Sequence, residues 1–190
     1  MATKDSSKPN KTTTTCGSTI WFTGFSASGK STLASRLHRA LSDNGIQSVI
    51  LDGDEVRKTI NNDLGYSIPD REENNRRVAE MAKIINNSGV ITLCAFISPT
   101  NKIRENIKQI IGSDNFILVH VDTPIEICES RDSKSLYKKA KEGKVKDFSG
   151  ISSLFENPEN PDIRIDGKKS VDKNIDILLT RLKEIIPYSF

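Results

Sequence analysis

Cysteine is scarce in this sequence. The three present, Cys16, Cys94 and Cys128, are odd in number, and no pair has zinc-ligand spacing. A disulfide framework and a zinc module are both set aside, and reduced thiols in a reducing compartment are the simplest account. Cys94 and Cys128 fall in apolar stretches and read as packing residues. No apolar run approaches the ~20 residues that span a membrane. The first sixteen residues, MATKDSSKPNKTTTTC, have no hydrophobic stretch and are neither Arg-rich nor amphipathic. They read as a disordered tail over 1–16 rather than as a secretory leader or a transit peptide. A cytoplasmic protein is expected, with an organelle as the alternative. The net charge is only +3, too small to argue for nucleic acid or a membrane surface as partner. There is no internal repeat.

What remains fits one globular domain over 17–190 with a real core: 190 residues, 35% hydrophobic and 28% charged. Its strongest local signal is GFSASGKST at residues 24–32, which fits G-x-x-x-x-G-K-[ST]. STIWFT before it reads as a buried strand. KSTLASRLHRALSDNG after it reads as a helix with Leu33, Leu37, Ala40 and Leu41 on one face and Gly45 at its stop. The strand–glycines–helix context is what a phosphate loop requires. Glycine lets backbone N–H groups turn inward around an anion, and the helix N-terminus adds partial positive charge. Lys30 then reaches the β- and γ-phosphates, and the Ser31 hydroxyl can ligate Mg²⁺. Gly24, Phe25, Ser26, Ala27, Ser28, Gly29, Lys30, Ser31 and Thr32 are therefore candidate nucleotide-binding residues.

Strands and helices alternate along the chain. QSVILD (47–52), VITLCAFI (90–97) and NFILVHVD (115–122) read as further strands. DEVRKTI (54–60), the segment 70–89, KIRENIKQIIG (102–112), PIEICES (124–130) and the segment 170–186 read as helices. This order predicts an α/β three-layer sandwich: a central parallel sheet of about five strands with helices on both faces. The site of such a sheet lies beyond the carboxyl ends of its strands. There stand DGDEVR at 52–57 and SPTNKIR at 98–104. The Lys-rich stretch 131–168 has little apolar periodicity and is long for a loop, so a lid is expected at about 131–156.

The acceptor side of a phosphoryl transfer needs positive charge and a group that positions or deprotonates the acceptor. Asp54 can accept a proton from a hydroxyl, or hold Mg²⁺ through water; its plain alternative is helix capping. Arg57 lies one helical turn on and can bind an anion or face solvent. Arg71, Arg76 and Arg77 cluster near a helix start with Asn74 between them, either for an anion or as a surface laced with Glu–Arg pairs. Tyr66 can stack on a base or cover the core. Ser98 follows a buried strand and can hydrogen-bond the acceptor or cap the next helix. Among the lid residues, Arg131, Lys134 and other lysines can neutralise phosphate charge on closure, and Phe148 is an isolated aromatic that can close over a base.

Taken together, GFSASGKST, LDGDEVR, DLGYS with DREENNRR, FISP, the stretch VDTPIEICESRDSKSLYKKAKEGKVKDFSGI and ENPENPD resemble the adenylylsulfate kinases over about residues 17–165. The resemblance implies transfer of the γ-phosphate of MgATP to the 3′-hydroxyl of adenosine 5′-phosphosulfate, giving ADP and 3′-phosphoadenosine 5′-phosphosulfate. It implies catalytic roles for Lys30, Asp54 and Ser98, and places Arg131 with ATP. It places Asp54, Arg57, Tyr66, Arg71, Asn74, Ile97, Ser98, Lys134 and Phe148 with the acceptor, Tyr66 and Phe148 clamping its adenine. Mg²⁺ would be held by Ser31, and through water by Asp54, in a homodimer. Several positions depart from the family's pattern. Tyr66 stands for a frequent Phe, Thr100 and Asn101 for an aromatic and an Arg, and Ser135 for a lid glycine. Two rivals remain: another small-molecule or nucleotide kinase, and a non-catalytic nucleotide switch. A guanine switch would show N-K-x-D, whereas NKIR at 101–104 ends in Arg.

Overall fold

A computed structural model describes residues 17–186 of the protein. The tail expected over 1–16 lies outside the described residues. The phosphate-loop strand is β1 (Thr19–Thr23), followed by α1 (Lys30–Asp43). Then come β2 (Ser48–Asp52), α2 (Gly53–Lys58), α3 (Ile68–Asn87), β3 (Ile91–Ala95), α4 (Asn101–Ile111) and β4 (Phe116–Asp122). The chain finishes with α5 (Ile125–Ser130), α6 (Leu136–Lys141), β5 (Ile163–Asp166) and α7 (Val171–Ile185).

The five strands form one sheet in the order β2-β3-β1-β4-β5, and every neighbouring pair is parallel. Parallel strands need crossover helices, and the helices cover both faces. Successive side chains therefore go to opposite cores. Ile20 and Phe22 of β1, Leu93 of β3 and Val119 of β4 pack with Leu33 and Leu37 of α1 and Leu178 and Leu182 of α7. Trp21, Cys94 and Leu118 point the other way, onto Val78 and Ala82 of α3 and Ile103 and Ile107 of α4. The expected three layers are present.

Two elements went unassigned from sequence. β5 is only four residues, IRID, and alternates buried and exposed at the sheet edge. A strand half-exposed in a Lys-rich stretch gives no apolar run to read. The lid holds the short helix α6 and a small core of its own, Cys128, Tyr137, Ala140 and Phe148, with Phe25 and Ile125 against it. Cys94 and Cys128 are buried free thiols, as their apolar surroundings implied. Ser135 takes a left-handed conformation (φ 53) at the start of α6. Glycine adopts that conformation freely, and a serine is strained in it. Among the described residues no helix is long and apolar enough to cross a membrane.

β1 sits between β3 and β4, so the crossovers leave it in opposite directions. That switch opens a crevice at its carboxyl end, where the phosphate loop lies. The frame depends on α1 staying packed beneath it. Leu37 is fully buried there. Leu37→Ala is expected to lower the unfolding free energy by about 3 kcal/mol in urea denaturation. The exposed Arg36–Asp172 ion pair between α1 and α7 can be removed with little effect.

Candidate active site

The loop between β1 and α1 is built by backbone conformations that few residues adopt. Gly24 (φ 150) and Gly29 (φ 105) both need glycine. A Cβ on Gly24 would meet the Val121 carbonyl oxygen at 2.7 Å. Lys30 is buried. Its Nζ folds back onto the loop, donating to the carbonyl oxygens of Gly24 (3.0 Å) and Phe25 (2.5 Å) and to Ser28 Oγ (3.4 Å). Burial pulls its pKa down to about 8. Ser31 Oγ donates to Asp52 Oδ2 at 2.5 Å, and the other oxygen of Asp52 caps α2 by accepting from the Asp54 N–H at 2.9 Å. The end of β4 pins the loop from behind, where Thr123 Oγ1 donates to the Ser28 carbonyl at 2.9 Å.

A cavity of about 810 Å³ opens over the loop, walled by the lid start at Arg131–Lys134 and by Gly167–Val171 with Asn174. Arg131 is on this wall, its Nη2 donating to the Gly167 carbonyl at 3.0 Å. Phe25 is not. Its ring turns away to stack on Phe155 at 4.4 Å, and only its carbonyl serves the loop. The 167–171 wall was missed because it follows β5; with that strand assigned, the rule of looking after each strand end would have found it.

A second cavity of about 150 Å³ lies on the other side of the loop. Asp54, Arg57, Tyr66, Arg71, Asn74, Ile97 and Ser98 all line it, so seven sequence candidates separated by up to 44 positions converge. Tyr66 lies between two guanidiniums, with Arg57 4.6 Å and Arg71 5.5 Å from its ring centroid. Arg57 donates to the Gly65 carbonyl (2.6 Å), and Arg71 to those of Tyr66 (2.8 Å) and Asp147 (2.9 Å). Among the described residues neither has a carboxylate at ion-pair distance. Burial, then the neighbouring Arg57, brings Arg71 down to about 10. Two cations without counter-ions suit an anionic acceptor. Arg76 and Arg77 differ: they pair with Glu73 and Asp63 on the surface, the bland alternative for them.

Besides Phe25, one expectation needs correction, and one of the two alternatives for Ser98 falls away. Phe148 does not reach either cavity; it is buried in the lid core, edge-on to Tyr137 at 4.9 Å. Apolar neighbours from α5 and α6 claim the ring. Ser98 does not cap α4, a role taken by Thr100. Its hydroxyl accepts from Trp21 Nε1 (2.8 Å) and donates to Asn75 Oδ1 (2.8 Å) with the residue 1% exposed. Asn75, next to the predicted Asn74, escaped notice because nothing in sequence links it to Ser98.

The cavities share Ser26, Ala27, Lys30, Ser31 and Asp54. A group carried from one to the other must pass Lys30 and Asp54. Lys134 of the lid, expected with the acceptor, lines the larger cavity instead and forms an ion pair with Asp54 across this junction.

The depressed pKa of Lys30 gives a pH signature. Below about 8 the ammonium is charged with or without nucleotide. Above it the free protein has lost the proton, while phosphate charge raises the pKa in the complex, so binding must take a proton up. Calorimetric titration with ATP in buffers of different ionisation enthalpy should show proton uptake at about pH 9 and none from Lys30 at about pH 7. Affinity should weaken as pH rises through about 8, and Lys30→Met should abolish the uptake.

The family described as adenylylsulphate kinase matches residues 16–166. An adenylyl-sulfate kinase of Prochlorococcus marinus is 47% identical over 167 residues, covering 87% of this chain and 83% of that protein. One of Bacteroides thetaiotaomicron is 49% identical over 170 residues, covering 87% and 85%. The solved structure of a Mycobacterium tuberculosis APS kinase in complex with AMPPNP and APS superposes with a TM-score of 0.85 at 39% identity, over 88% of this chain and 98% of that one. The matched span runs through β1–β5 and through the residues lining the junction between the cavities, and the chain belongs to the adenylylsulphate kinase family.

Proposed function

We propose that this protein transfers the γ-phosphate of ATP to the 3′-hydroxyl of adenosine 5′-phosphosulfate, with ATP in the larger cavity and the acceptor in the smaller. The observation that carries the reading is the junction itself: one lysine, two serine hydroxyls and one carboxylate, shared by a nucleotide-sized cavity and an arginine-lined one.

Each residue's part follows from its surroundings. On binding, the triphosphate takes Lys30 Nζ from the loop carbonyls, so the ammonium follows the β- and γ-phosphates. Backbone N–H groups of 26–31 orient them. Asp54 faces the acceptor hydroxyl and can take its proton, and Lys134 pairs with that carboxylate in the free enzyme. Arg57 and Arg71 hold the phosphosulfate end, and Tyr66, exposed between them, offers its ring to the adenine. Asn74 and Ile97 complete the wall. Ser98 acts by position. A covalent phosphoserine would bring a dianion into a buried site and break the bond to Asn75, whereas direct in-line transfer needs only aligned substrates.

The donor set fits magnesium. Ser31 Oγ and the Asp52 carboxylate are hard oxygens at the loop, and among the described residues no three-ligand cluster of His, Cys, Asp or Glu exists to cage a metal. Mg²⁺ characteristically takes one or two protein oxygens and completes its shell with phosphates and water. When bound it supplies neutralisation of phosphate charge. We take the working unit to be a homodimer acting in the cytoplasm, by family likeness, which light scattering would check.

With MgATP and adenylylsulfate the purified protein should yield ADP and the 3′-phosphorylated product, with AMP far poorer as acceptor. Asp54→Ala should lower kcat by about 10²–10⁴-fold with ATP binding largely kept. Ser98→Ala should retain measurable turnover. AMP phosphorylated as fast as adenylylsulfate would sink the acceptor assignment, and a wholly inactive Ser98→Ala that still binds both substrates would sink the positional role of Ser98.

A further inference from the structure

The turn that walls the acceptor cavity is strained. Ser98 has φ 44, a left-handed conformation that a residue other than glycine keeps only where its surroundings over-determine it. Trp21 and Asn75 hold its hydroxyl, and Thr23 Oγ1 donates to the Ile97 carbonyl at 2.6 Å. A further tie comes from behind: Arg104 Nη1 donates to the Ser98 carbonyl at 2.6 Å.

Arg104 is an unexpected residue at that place. It lies in the first turn of α4, where the helix dipole disfavours a cation, and is 3% exposed. Among the described residues no carboxylate pairs with it. Its bonds go to neutral oxygens: the Ser98 carbonyl, Asn101 Oδ1 (2.6 Å) and the Glu156 carbonyl (2.7 Å). A buried cation held this way is no gain in stability over an apolar side chain of similar volume. What it supplies is geometry. The guanidinium is a rigid planar fork, and its prongs grip carbonyls 58 positions apart in sequence, one on the acceptor wall and one at the end of the lid.

The lid end is fastened there by more than this fork. The Glu156 N–H donates to the Pro99 carbonyl (2.7 Å), and Glu156 Oε2 accepts from the Asn101 N–H (2.7 Å). Phe155, one residue earlier, stacks on Phe25 of the phosphate loop at 4.4 Å, with the Arg104 guanidinium 5.9 Å from its ring. Arg104 itself lines neither substrate cavity.

We propose that Arg104 is a positioning residue for the acceptor: by clamping the Ser98 and Glu156 carbonyls together it fixes the acceptor wall against the end of the lid. This rests on reading the smaller cavity as the acceptor site. Lysine cannot substitute, because a point charge lacks the planar fork.

The test is steady-state kinetics of Arg104→Lys and Arg104→Gln in the full chain. The acceptor kcat/KM is expected to fall about 10–100-fold while the KM for ATP stays within about twofold. Combined with Ser98→Ala, the loss should be smaller than the product of the single losses, since both act through one turn. Ile107→Val, buried on the same helix, serves as a control for lost stability. Overturning results are an ATP KM that rises as much as the acceptor's, full additivity with Ser98→Ala, or an Ile107→Val enzyme with the same thermal midpoint and the same acceptor defect. If the parent enzyme prefers a different acceptor, only the acceptor's identity falls, and the same comparison is read on the molecule it does take.

Discussion

Lys30 is held inside its own loop, its ammonium against carbonyls rather than water, and much of the surrounding architecture serves to keep it there. Desolvating a cation is unfavourable, as its lowered pKa records. The loop tolerates it because Gly24 turns its carbonyl toward the ammonium, and Gly24 and Gly29 both take conformations other residues avoid. Those glycines are fixed in turn by the sheet: Val121 of β4 leaves no room for a side chain at 24, and Thr123 holds Ser28. A nucleotide arriving in the cavity offers the ammonium better partners, so the resting contacts store a bias toward binding phosphate.

The lid is less separate from this core than a long polar loop suggests. Tyr137 donates its hydroxyl proton to the Ser26 carbonyl at 2.9 Å, and Phe155 stacks on Phe25, so two lid aromatics touch consecutive residues of the phosphate loop. Arg71 reaches the lid from the acceptor side through Asp147. Each cavity wall thus has a lid residue bonded to it, so short, packed links join the two walls through the lid as well as through the sheet.

Legibility in the sequence followed the range of the determining interactions. The phosphate loop and the residues just after β2 and β3 were readable because spacing within a few positions fixes their geometry. Arg57, Tyr66, Arg71 and Asn74 did meet in one cavity, since α2 and α3 bring both of their beginnings to the same strand ends. Phe148 was misplaced because a lone aromatic in polar sequence looks free, whereas α5 and α6 supply a pocket no local pattern announces. β5 was lost to its brevity and half-exposed face. The saturation of the Ser98 hydroxyl depends on Trp21 and Asn75, 77 and 23 positions away, and no spacing rule reaches that far.

That last contact has an optical consequence. The chain contains a single tryptophan. Its indole N–H ends on the hydroxyl that braces the acceptor wall, and its ring packs on Phe96 at 5.4 Å in the same stretch of chain. The protein therefore carries an intrinsic fluorophore bonded to the wall of the smaller cavity, so its emission can report on that cavity without any label.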